Sequence, residues 1–362
     1  MRLRHPMARP AAPRRVLVWL VLLGAAAGCA PLARQPVPPP HKVGLVFEVG
    51  GRGDLAFNDM AHAGLARAQK ELGARLLTRE VEPSPGGGNR AELLRRLAGE
   101  EFRLVFGIGE AAAPELRRAA AEFPATRFVL VDGVLPGLDP ADNLTCLQFR
   151  EQEGAFLAGA AAALKSRSGV IGFLAGARTP RTEASEIAYT AGARYVRPQT
   201  VVVADYLEEQ SGSDARAAGR RLALTQFDRG AEVVYQTAGA DRGVFEAAVL
   251  RRRLVIGSDA DQALRAKDEA RSRILTSVVK RVDVAVYETV KAFVNGTLSG
   301  GCRHYGLAGE GITYAENDFN TEMLAEIKPV LEELRARIVD GRIAVPTTRA
   351  ALDAFLRARP RR

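Results

Sequence analysis

From residue 42 onward, short apolar runs alternate with stretches of helical period. Residues 43–47 read as a buried strand. Residues 57–72 set Met60, Leu65, Ala68 and Leu72 on one face of a helix. The breaker run Pro83-Ser-Pro-Gly-Gly-Gly88 precedes a helix at 89–97. A strand at 104–108, a helix at 112–122 and a strand at 128–131 follow. A second cycle begins near Glu151, with helices at 155–164, 183–195, 214–226 and 244–250. Strands at 170–174, 200–204, 233–235 and 254–256 lie between them. A further strand at 274–278 leads into a helix at 281–294, and a last helix covers about 322–338. Strands alternating with helices predict βαβ units and parallel sheets. Two such sets with no linker between them predict two doubly wound α/β lobes joined by crossovers. The spacing assigns residues 42–150 plus about 275–305 to the first lobe. It assigns 151–274 plus about 306–350 to the second, and 351–362 to a basic tail.

The first 28 residues have another character. A basic stretch is followed by the apolar run 16–23, then by small residues ending at Gly28, then by Cys29. The run is short for a membrane span, and the pattern is that of a secretory signal peptide. Small residues directly before Cys29 resemble a bacterial lipobox, with Ala26 where that motif usually has Leu. Cys29 is therefore the expected lipidation site. The Pro-rich residues 29–41 form a stiff tether. This places the folded body outside the cytoplasm, held to a membrane by an N-terminal lipid.

The net charge of +9 suggests a nucleic-acid partner until it is located. Residues 1–28 hold five arginines and no acid, and Arg357, Arg359, Arg361 and Arg362 crowd the end. The body between is close to neutral and offers no basic face for nucleic acid. The four histidines and three cysteines make no metal-like cluster. Cys146 and Cys302 are free to pair outside the cytosol or to remain buried thiols.

In open parallel sheets, ligands sit beyond the C-terminal strand ends. Five polar clusters fall there. Gly50-Gly-Arg-Gly-Asp54-Leu-Ala-Phe57-Asn58 follows the first strand, where Asp54 is also placed to cap the helix. Asp132 ends the strand at 128–131. Ala238-Gly-Ala-Asp-Arg-Gly243 precedes a helix and is able to present backbone N–H groups. Ile256-Gly-Ser-Asp259-Ala-Asp261-Gln262 and Thr276-Ser-Val-Val-Lys280-Arg281 follow two later strands. Turns favour Asp and Gly on their own account, but five clusters at matching places predict a convergent interlobe site.

Several of these stretches resemble the basic-membrane-protein family of lipoprotein receptors, which are similar to a purine-nucleoside receptor. They are Gly53-Asp-Leu-Ala-Phe-Asn58, Gly107-Ile-Gly109, Phe128-Val-Leu-Val-Asp-Gly133 and Phe149-Arg-Glu-Gln-Glu-Gly-Ala-Phe-Leu-Ala-Gly159. Gly243-Val-Phe-Glu-Ala-Ala248, Val255-Ile-Gly-Ser-Asp-Ala-Asp-Gln262 and Leu275-Thr-Ser-Val-Val-Lys-Arg-Val-Asp-Val-Ala-Val286 continue the series. The resemblance implies a type I periplasmic-binding-protein fold with a hinge, and a nucleoside-like ligand handed to an ABC permease and ATPase. It places Asp54, Phe57, Asn58, Asp132, Gly243, Asp259 and Lys280 at the ligand. Phe57 would stack on the base, Asn58 and Asp132 would read its edge, and Asp259 with Lys280 would hold the ribose hydroxyls. The chain departs from the family where a second aromatic is expected after Tyr206, at Glu110, and at Asp241-Arg242.

No catalytic residue, cofactor or metal is expected. A nucleophile–base pair, a metal cluster and a GxGxxG after a strand are all missing, which argues against a doubly wound enzyme. A ligand-binding sensor lipoprotein uncoupled from transport remains open alongside the importer receptor.

Overall fold

The computed structural model describes residues 39–53, 56–207, 213–237 and 241–358. The first lobe contains β1 (His41–Val46), α1 (Phe57–Leu72), β2 (Leu76–Val81), α2 (Arg90–Gly99), β3 (Leu104–Ile108), α3 (Ala113–Glu122), β4 (Arg127–Val131) and β5 (Leu144–Phe149). The second contains α4 (Glu151–Lys165), β6 (Val170–Ala175), α5 (Pro180–Val196), β7 (Val201–Tyr206), α6 (Ser213–Asp228), β8 (Val233–Thr237), α7 (Asp241–Arg251), β9 (Leu254–Asp259), α8 (Asp268–Arg271) and β10 (Ile274–Lys280). Then α9 (Val282–Val294) and β11 (Gly301–Tyr305) return to the first lobe, and β12 (Ile312–Tyr314) rejoins the second sheet. Helices α10 (Thr321–Ala325), α11 (Lys328–Val339) and α12 (Arg349–Ala358) complete the described chain.

The two six-stranded sheets run β11-β5-β4-β3-β1-β2 and β12-β10-β9-β8-β6-β7. Every pairing is parallel except β10 with β12. Strand for strand the orders correspond, so β4 of one lobe and β9 of the other hold equivalent places. Strands β3 and β10 are buried along their whole length, as parallel strands covered on both faces require.

Four expectations need correction. Residues 275–280, assigned to the first lobe, lie in β10, which pairs with β9 in the second sheet. The crossing therefore falls after Lys280. The single helix expected at 322–338 is broken into α10 and α11, because Pro329 at the second position of α11 cannot continue a preceding helix. Part of the expected basic tail is α12, whose Leu352 is buried and whose Phe355 packs on Phe156 and Tyr195. Strands β2, β5, β11 and β12 carry no strong apolar run and have no counterpart in the sequence reading.

The chain crosses between lobes after β5, after β10 and again after β11, and the first two crossings share one turn. At each of these two an arginine, Arg150 or Arg281, takes φ −80 and ψ 64, close to an inverse γ-turn, and the next helix starts at once. Arg150 N–H donates to Tyr305 O at 2.8 Å, and Arg281 N–H to Gly311 O at 2.9 Å. The matching geometry shows the same crossover turn built twice. Helix α4 is buried on nearly every face, which its Ala-rich sequence permits. It meets α5 so closely that a Cβ on Gly159 would stand 1.9 Å from Tyr189 O. Cys146 and Cys302 are register partners in β5 and β11 and form a disulfide, with Cα atoms 4.5 Å apart.

Candidate ligand-binding site

Asp132 follows β4 and Asp259 ends β9, at the equivalent position of the other lobe. Both take left-handed backbone, with φ 57 and 69. That conformation is uncommon outside glycine, and Asp tolerates it better than most residues. It turns the chain sharply at the strand end and sets a carboxylate at the mouth of each lobe. The Asp259 Oδ2 accepts from Ser258 Oγ at 3.1 Å. The turn beyond is braced by Gln262, whose N–H donates to Ser277 Oγ at 3.2 Å and whose Oε1 accepts from Gln236 Nε2 at 3.1 Å.

Lys280 ends β10 and is buried. Its Nζ lies 2.8 Å from Glu151 Oε1, 3.1 Å from Asp259 Oδ1 and 3.2 Å from Asp132 Oδ2. It also lies 4.9 Å from the centre of the Phe57 ring. Arg181 adds a second cation. Its Nη2 donates to Asp132 Oδ1 at 2.5 Å and its Nε to Glu151 Oε1 at 2.7 Å. Asp132 and Phe57 come from the first lobe, and the other four residues from the second. Two cations and three carboxylates thus meet where the strand ends of both lobes converge.

Burial alone would pull the Lys280 ammonium down, but the charges of Asp132, Asp259 and Glu151 outweigh it and raise its pKa. Burial likewise opposes ionisation of Glu151, yet Lys280 and Arg181 hold that carboxyl below its usual range. Burial works against Arg181 too, and Asp132 and Glu151 overcome it. At neutral pH every member of the cluster named here with a shifted pKa is charged.

Among the residues singled out from sequence, Phe57, Asp132, Asp259 and Lys280 meet in this cluster. Asn58 is buried beside Phe57 at the start of α1. Its Oδ1 accepts from Glu48 N–H at 2.9 Å and its Nδ2 donates to Gly51 O at 2.8 Å, so it shapes the loop between β1 and α1. Gly243 stands where α7 crosses α6. A Cβ there would come within 2.0 Å of Arg216 O, so helix packing accounts for the glycine. Asp54 and Cys29 lie outside the described residues.

Sequence reasoning missed three groups. Glu151 stands in a quoted motif but reads as a first-turn helix acid. Arg181 carries no strand-end signal because it lies inside α5. Thr237, the last residue of β8, has a buried Oγ1 with no hydrogen-bond partner among the described residues.

The sequence profile described as Bmp, "ABC transporter substrate-binding protein PnrA-like", matches residues 41–349. An uncharacterized lipoprotein of Pyrococcus horikoshii is 33% identical over 318 residues, covering 83% of this chain and 76% of that protein. The ABC transporter nucleoside-binding protein BmpA of Lactococcus lactis is 30% identical over 322 residues, covering 84% of this chain and 89% of BmpA. Among solved structures, a solute-binding protein of an ABC transporter system from Aeropyrum pernix superposes with a TM-score of 0.69 at 27% identity. That match covers 88% of this chain and 98% of the other. The type I periplasmic-binding fold, the meeting of both lobes' strand-end charges and the match over residues 41–349 agree: the chain belongs to the Bmp family of ABC transporter substrate-binding proteins, a family of binding proteins rather than enzymes.

Proposed function

We propose that this protein is a lipid-anchored extracytoplasmic receptor that captures a nucleoside-class solute between its lobes and delivers it to the permease of an ABC importer. The observation that carries the reading is the meeting of Asp132 and Phe57 from one lobe with Asp259 and Lys280 from the other. A solute filling that space touches both lobes and so favours the closed state over the open one.

The chemistry suits a nucleoside. Asp259 is the most exposed of the three carboxylates, with 35% of its side chain open, and its two oxygens are placed to accept from a vicinal diol. Lys280 donates to the same hydroxyls. Asp132 accepts from N–H groups on the edge of a base. Phe57 offers an aromatic face to the ring, a contact worth about 1–3 kcal/mol per base. A site built to hydrogen-bond such groups rejects solutes that lack them, because its own polar groups are then left unpaired. The name of the Lactococcus relative agrees with this ligand class.

The cluster is suited to binding and poorly suited to turnover. A general acid or base works best with a pKa near the operating pH. Here Lys280 is raised and Glu151 lowered, so both are moved away from neutrality. Nucleosides incubated with the protein are expected back intact. Lipidation at Cys29 supplies the anchor, in keeping with relatives named lipoproteins.

Mass spectrometry of small molecules released on denaturing the purified protein tests the reading. A nucleoside supports it. A stoichiometric solute of another class overturns the ligand assignment and leaves the substrate-binding role in place.

A further inference from the structure

Helix α5 opens with two arginines, Arg178 just before its Thr179 cap and Arg181 in its first turn. The helix N-terminus is the positive end of the dipole, so cations there oppose helix formation. Helix stability therefore does not explain them. Arg181 is accounted for by Asp132 and Glu151. Arg178 is not part of that cluster.

The Arg178 guanidinium instead lies over the ring of Tyr206, with Cζ 4.1 Å from the ring centre. Its Nη1 donates to Glu183 Oε1 at 3.0 Å, which holds it from the side. More than half of the side chain, 58%, is open. Tyr206 ends β7 in register with Ala175 at the end of β6, so the pair stands at the same C-terminal end of the second sheet as Asp259 and Lys280, with β6 and β8 between β7 and β9. The ring is held from behind. Tyr206 Oη donates to Glu186 Oε2 at 2.5 Å, and the other oxygen of this buried carboxylate accepts from Arg349 Nη2 at 2.5 Å. Phe173 packs edge-on against Tyr206 at 6.2 Å.

Arg349 opens α12, which is pinned to α4 and α5 by Leu352 and Phe355. The family profile ends at residue 349. The body of α12 thus lies beyond the family match, yet the helix braces a strand-end aromatic through a buried acid.

We propose that Arg178 backed by Tyr206 is a specificity-determining wall of the cleft, on which the flat ring of the solute stacks, and that Arg349 positions it. The proposal rests on the nucleoside reading above. A guanidinium plane stacks on any heteroaromatic face and gains most from the larger purine ring. The wall touches the base and leaves the sugar contacts to Asp259 and Lys280.

Calorimetric titration of wild type, Arg178→Ala, Arg178→Lys, Arg349→Ala and Arg349→Lys with inosine and with uridine tests this. Both Arg178 variants should weaken inosine about tenfold, because Lys keeps the charge and loses the plane. They should weaken uridine less, so the purine-over-pyrimidine ratio falls. Arg349→Ala should lower the same ratio while circular dichroism stays unchanged, and Arg349→Lys should restore it. A merely structural role would move both affinities together. An unchanged ratio in the Arg178 variants overturns the wall and leaves the nucleoside reading standing. If wild type binds no nucleoside but binds a free heteroaromatic base through Arg178, the nucleoside reading fails and the wall stands. If wild type binds no flat-ring solute, both fail.

Discussion

Replacing Lys280 by Met removes the ammonium shared by Asp132, Glu151 and Asp259 while keeping side-chain length and apolar volume. Removing one partner of a buried ion pair costs about 3–5 kcal/mol, because the other charge is left uncompensated. Arg181 still serves Asp132 and Glu151, and Asp259 keeps the Ser258 hydroxyl at 3.1 Å. These retained contacts place the loss at the low end, about 3 kcal/mol. At roughly 2 °C per kcal/mol for a chain of this size, thermal unfolding of the ligand-free protein should shift down by about 6 °C. Circular dichroism at neutral pH reads the shift. Removing a carboxylate as well, in Lys280→Met with Asp259→Asn, should recover part of it. A single variant that melts within about 1 °C of wild type, or a double variant that recovers nothing, refutes the picture of three carboxylates relying on one buried ammonium.

Three further outcomes follow from the sequence and structure. Cys29→Ser should release the protein from membranes into the soluble extracytoplasmic fraction, read by fractionation and by the absence of a lipid adduct. Cys146→Ser or Cys302→Ser should lower stability by roughly 2–5 kcal/mol in denaturant titration, since the bridge closes a loop that contains β6 through β10 of the second lobe. The third concerns pH. The raised Lys280 pKa gives stability fully present below 10.5 and lost as pH rises through the folded value, and the lowered Glu151 pKa gives stability present above 4.5 and lost as pH falls through the folded value. The difference in melting temperature between wild type and Lys280→Met should therefore be flat from about pH 5 to 10 and shrink below about pH 4.

Much of this molecule is legible in its sequence because the lobes are built from short apolar strands and amphipathic helices. Helix α1 at Phe57–Leu72 and β3 at Leu104–Ile108 fall where the periodicity puts them. Edge strands are harder. β11 carries Arg303 and His304, and β2 carries Thr78, Arg79 and Glu80, so neither shows a continuous apolar run. The C-terminal helix α12 hides in arginine-rich sequence, although Leu352, Phe355 and Leu356 share its packed face. At the site, strand-end acids and Lys280 are visible because a polar residue that ends an apolar run stands out. Arg181 and Arg178 are not, since an arginine near a helix start reads as solvated surface. Asn58 illustrates the converse. A buried carboxamide after a strand reads as a ligand contact, and the sequence does not show that Glu48 and Gly51 engage it.

The central claim is that a nucleoside between the lobes is held by Asp259 and Lys280 of the second lobe against Asp132 and Phe57 of the first. Isothermal calorimetry of ligand-free wild type and Asp259→Ala with a panel of nucleosides, free bases and sugars tests it most directly. Truncating one partner of a buried hydrogen-bonded charge pair costs roughly 2–5 kcal/mol of binding. One nucleoside should bind wild type with one-to-one stoichiometry and bind a folded Asp259→Ala at least tenfold more weakly. A wild type that takes up no nucleoside, or an Asp259→Ala that binds one as tightly as wild type, would contradict the account.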